Sequence, residues 1–127
     1  MYQQDWLDEL GWGAIALGVL VGLLLQMAAT FAVLQPSGQT IGLPAVVVVQ
    51  ACIGLGALVA GLRAHRAPLL NGLLAALGCA LIALALTALR APDQLSALSI
   101  LFLFAACGLA GVIGGWAARI VRQRRAR

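Results

Sequence analysis

The stretch G-L-R-A-H-R-A-P, Gly61 to Pro68, carries the only histidine of the chain, His65, between Arg63 and Arg66. Its reading decides the fold. As a reactive patch it would need a site around it; as a turn it joins two apolar segments running in opposite directions. The residues on either side favour the turn. Upstream, back to Leu10, no side chain is ionisable except Cys52, and downstream from Ala67 to Leu89 none is except Cys79.

A third such run, Gln94 to Ala118, contains only Cys107. Each run reaches the ~20 apolar residues that a helix needs to cross about 30 Å of hydrocarbon. The run before Gly61 is long enough for two crossings and is interrupted by L-Q-P-S-G-Q-T-I-G-L-P, residues 34–44. Four spans follow, at about residues 12–34, 42–62, 68–89 and 95–120. Pro36, Pro44, Pro68 and Pro92 all fall at span boundaries, where a missing N–H costs little.

Composition agrees. The 127 residues are 63% hydrophobic and 9% charged, whereas a soluble domain averages roughly a quarter charged residues. The expected fold is all-α: one domain, a compact bundle of four transmembrane helices, because lipid offers no partner for an open backbone group. The first span lacks a basic leader and is preceded by Asp5, Asp8 and Glu9. It is expected to be retained rather than cleaved as a signal peptide.

All eight basic residues are arginines. Arg63 and Arg66 lie between spans two and three, Arg90 between spans three and four, and Arg119, Arg122, Arg124, Arg125 and Arg127 after span four. Four crossings put both termini and the Arg63–Arg66 turn on one side, with seven of the eight positive charges. The positive-inside rule makes that side cytoplasmic. Trp6, Trp12 and Trp116 fall at the same interface, where amphipathic rings sit at headgroup depth. His65 is then a solvated turn residue, and Pro68 starts the next helix.

Residues 1–11 read as a short interfacial segment, with Tyr2, Trp6 and Leu10 recurring every four positions. The tail, residues 119–127, continues the fourth helix out of the bilayer. Its five arginines are expected to contact anionic lipid, at about 1 kcal/mol each. Aromatic residues are not interleaved with them, so nucleic acid is not an expected partner.

Small residues recur inside the spans. Gly18 and Gly22 belong to a row with Ala14, Gln26 and Thr30; Gly61 closes the second span; Gly111 and Gly115 share the fourth. Such rows let helices approach closely. Gln26 and Gln50 fall at similar depth, about 12 Å from the outer ends of their spans at 1.5 Å per residue. They are expected to hydrogen-bond to each other, or to line a polar path with Thr30 and Asn71. Spans two and four share Ala-Cys, glycines and an arginine pair, which suggests a duplicated hairpin; spans one and three match only loosely.

Catalysis is not expected. No Asp, Glu, Arg or His lies well inside a span, which argues against proton- or ion-coupled transport and against haem ligation. Cys52, Cys79 and Cys107 fall near mid-bilayer, each in a different span, without the spacing of a metal site. They read as small apolar packing residues, and neither a metal nor another cofactor is expected.

The segment G-A-L-V-A-G-L-R-A-H-R-A-P-L-L-N-G-L-L-A-A-L, residues 56–77, and G-V-I-G-G-W-A-A-R, residues 111–119, resemble the YrzE-like group of small bacterial membrane proteins. The resemblance implies four spans and a bacterial cytoplasmic membrane, and brings no activity with it. Two functions then compete. One is a non-catalytic structural or accessory subunit, packed in a larger membrane complex or against itself. The other is an oligomeric channel or carrier for a neutral or weakly polar solute.

Overall fold

A computed structural model describes residues 10–29, 31, 43–90 and 92–127. Among them the fold is all-helical, with four long helices: α1 (Trp12–Ala29), α2 (Leu43–Arg63), α3 (Pro68–Arg90) and α4 (Ala97–Arg125). A single 3-10 turn, Pro92–Gln94, precedes α4. Pro68 opens α3 at the position where its missing N–H has no helical partner in any case. Ser96 caps α4 from an extended backbone, its hydroxyl accepting the Ser99 amide at 3.1 Å.

Three helices, α1, α3 and α4, are long and apolar enough to cross a membrane. In α2 the fully described apolar part, Val47–Arg63, is shorter, though the whole helix has 21 residues and reaches about 31 Å. The expected interruption at residues 34–44 and the interfacial segment 1–11 lie largely outside the described residues, as does Thr30. The fourth helix runs five residues beyond the expected end of its span, to Arg125.

Glycine positions fix how the helices run. A Cβ built at Gly18 would meet Ala60 and Gly56, and one at Gly22 would meet Cys52 and Gly56, so α1 and α2 are antiparallel. Gly72 meets Gly115, and Gly111 meets Ala76, so α3 and α4 are antiparallel too. Gly18 and Gly22 also face Ala75 and Cys79 in turn, and Gly54 and Gly61 face Ala110 and Ala118, which makes α1–α3 and α2–α4 parallel pairs. The pair α2–α3 forms the centre, with α1 and α4 on opposite sides of it.

The two hairpins use matching contacts. Gly18 and Gly22 pack on Gly56 and Ala60 in the first; Gly72 and Ala76 pack on Gly111 and Gly115 in the second.

The core is built from small side chains. Ala57, Ala60, Ala76, Ala80 and Ala118 are fully buried with Cys107, while Leu20, Leu24, Met27, Leu101, Phe102, Leu109 and Ile113 are exposed. A water-soluble bundle would invert that distribution, since soluble monomers rarely expose contiguous apolar patches beyond a few hundred Å². Here the large side chains face outward, as lipid contact requires. This is the architecture of a membrane protein.

Candidate functional site

Polar chemistry concentrates at the end of the bundle where α1 starts, α2 meets α3 and α4 leaves. The turn there, residues 64–67, has no glycine to end α2. Ala67 instead takes a left-handed conformation, φ 46°, which costs an L-residue about 1–2 kcal/mol. Two side chains from outside the turn hold it in place.

Asn71, fully buried in the first turns of α3, donates through Nδ2 to Arg66 O and Ala67 O, each at 3.0 Å. Its Oδ1 accepts the Gly11 amide at 3.0 Å, just before α1 begins. Arg122 of α4 donates from Nη1 to Ala64 O at 2.7 Å and from Nη2 to His65 O at 3.1 Å. All four carbonyls from Ala64 to Ala67 thus have a side-chain donor. Four helices meet in this one set of bonds.

The side chains of Arg63, His65, Arg66, Arg119, Arg124, Arg125 and Arg127 are exposed at the same end, and Arg122 is half-buried. Trp12, at the start of α1, and Trp116, one turn before Arg119, are about equally exposed, at 60% and 58%. Both rings stand at the level where arginines replace leucines, as interfacial anchors do. Asp93, the only acid among the described residues, lies at the opposite end of the bundle beside Arg90.

The other expected site residues are distributed differently. Gln50 lies against the Cys107 thiol of α4, and its Oε1 is buried without a hydrogen-bond partner. It therefore does not accept a hydrogen bond from Gln26. Gln26 sits on α1, partly buried. Asn71 is committed to the turn and lies at the arginine end, far from Gln50 along the bundle. Gly18, Gly22, Gly61, Gly111 and Gly115 all sit at helix contacts, where an added Cβ would stand within 3.2 Å of a neighbouring helix.

The cysteines pack. Cys79 and Cys107 share one buried cluster with Ile53, Ala76 and Ala80, and the Cys79 thiol points at Val19 O, 3.8 Å away. Among the described residues, no three His, Cys, Asp or Glu side chains come together as metal ligands.

Sequence reasoning missed the role of Asn71 and of Arg122. A signal for the first was present: P-L-L-N places an asparagine one turn inside a helix that starts with proline, within reach of the carbonyls preceding it. Arg122 carried none, because its partner lies 58 residues away. In comparisons with protein-family models, curated proteins and solved structures, no match to this chain was found.

Proposed function

We propose that this chain is a non-catalytic structural or accessory subunit of a bacterial cytoplasmic membrane, spanning it four times with both termini inside. One observation carries the reading. Among the described residues the helices approach backbone to backbone, Gly56 on Gly18 and Gly22, Gly72 on Gly115, leaving no lane for a solute at these crossings. Two polar side chains of the bundle are occupied otherwise: Asn71 ties the turn and Thr87 bonds back to Ala83 O at 2.8 Å. A closed, rigid unit with an apolar exterior suits packing against other membrane proteins.

Gentle detergent extraction from native membranes is the test. The subunit reading expects the chain to elute within a larger assembly, with neighbours captured by cross-linking. Elution as a lone monomer with no cross-linked neighbour would contradict it.

The carrier reading has one observation in its favour, the orphaned Gln50 Oε1 in the membrane interior. A buried amide oxygen without a donor costs about 1–3 kcal/mol, and a polar solute admitted between the helices beside Gln50 would supply one. In vesicles, that reading requires solute flux that Gln50→Leu abolishes while the protein stays folded. Without flux in the unsubstituted protein, it fails.

A further inference from the structure

We infer that the α2–α3 turn and the extension of α4 together form a binding site for the phosphate headgroup of an anionic phospholipid, with Arg122 as its scaffold rather than its ligand. The inference rests on the membrane-spanning reading above. It changes which arginines matter: the tail alone is not the site.

The turn is the first component. A helix C-terminus is the negative end of its dipole and disfavours an anion. Here the Ala64 and His65 carbonyls are taken by Arg122, and those of Arg66 and Ala67 by Asn71. The acceptors face inward to donors. What remains on the outside of the turn includes the exposed side chains of Arg63 and His65.

The second component is α4. Successive helix positions differ by about 100°, so Arg119, Arg122 and Arg125 step around one arc at about 60° intervals. Arg122 occupies the middle and turns inward to α2. Arg119 and Arg125 are held on its flanks, exposed, while Arg124 points to the other side of the helix. A fixed Arg122 therefore sets both flanking guanidinium groups beside the turn.

The choice of a lipid over a soluble polyanion comes from continuity. Leu109, Val112 and Trp116 are exposed in one stripe along α4, and Arg119 follows on that same stripe at the level of the interface. A phospholipid matches both parts at once, its acyl chain along the stripe and its phosphate at Arg119. No acid among the described residues opposes it at this end.

The test uses the full chain with Trp6→Phe and Trp12→Phe, leaving Trp116 as sole reporter, in phosphatidylcholine vesicles. At a fixed mole fraction, the brominated lipid is either phosphatidylglycerol or phosphatidylcholine. Trp116 should be quenched preferentially by the brominated phosphatidylglycerol, with a selectivity on the order of five-fold for each arginine engaged. Arg63→Gln with Arg119→Gln should lower the selectivity by about five-fold for each arginine removed, and Arg124→Gln should leave it unchanged. Equal quenching by both lipids, or the same loss in Arg124→Gln as in Arg119→Gln, would overturn the site. So would polyglutamate binding to the detergent-solubilised protein at physiological salt alongside equal quenching, which would assign the patch to a soluble partner. Failure of the chain to insert, read as Trp116 quenching by aqueous iodide alone, would defeat the membrane-spanning reading itself; insertion without selectivity would defeat only this inference.

Discussion

Asn71 Oδ1 accepts the Gly11 amide at 3.0 Å, joining the entrance of α1 to α3 across sixty positions of sequence. The same side chain holds two carbonyls of the α2–α3 turn, so one amide fixes three elements. Leucine has the same branched arrangement of heavy atoms, though it is bulkier, and none of these bonds. Asn71→Leu should cost about 2–4 kcal/mol, since buried groups left unpaired cost about 1–3 kcal/mol each. Unfolding in mixed micelles of rising SDS content measures this. Asn71→Asp should not rescue, because it keeps the acceptor for Gly11 but loses the donor and buries a charge.

Arg122 binds Ala64 O and His65 O with two nitrogens of one planar group. Lysine supplies charge without the fork. Arg122→Lys should retain part of the stability and Arg122→Ala lose about 1–2 kcal/mol. The loss should be local, appearing first as faster amide hydrogen exchange at His65 and Arg66 while the α1–α2 contact stays protected.

Glycine has opposite consequences at two positions. At Gly56 a Cβ would stand 2.5 Å from Gly18 O and 3.0 Å from the Gly22 backbone, and backbone cannot yield as a side-chain tip can. Gly56→Ala should destabilise by about 1–3 kcal/mol. At Gly108 a Cβ would meet nothing within 4 Å. Gly108→Ala should stabilise α4 by about 0.5–1 kcal/mol, the usual gain in a helix interior. Thermal unfolding of the two variants in one detergent gives both signs.

Ala67 is the one described residue other than glycine with a positive φ, and it precedes Pro68, which itself disfavours the right-handed helical region. Glycine removes the steric cost of about 1–2 kcal/mol but adds freedom to the unfolded chain, worth about 0.4–1 kcal/mol. Ala67→Gly should therefore stabilise modestly, by up to about 1 kcal/mol. A β-branched replacement, Ala67→Val, should be markedly destabilising in the same assay.

The four-helix pattern was legible because it rests on quantities that a sequence displays directly. Apolar run lengths, prolines at the boundaries and the position of the Arg63–Arg66 turn each point to four helices, and α3 begins at Pro68 as expected. Contacts between particular polar side chains were less legible. Gln26 and Gln50 were matched by depth, but partner choice depends on how each helix is rotated about its axis. With small residues on several faces of α1, α2 and α4, periodicity leaves that rotation open. Gln50 turns to Cys107 on α4, and Asn71 serves the turn rather than a path.

The topology can be read most directly by labelling with a thiol reagent that does not cross membranes. His65 and Asp93 are both exposed and lie at opposite ends of the bundle, whereas Cys52, Cys79 and Cys107 are buried. In intact cells His65→Cys should stay unlabelled and Asp93→Cys should react, with His65→Cys reacting only after lysis. Labelling of His65→Cys in intact cells would contradict the orientation, and labelling of both there would contradict the membrane crossing itself.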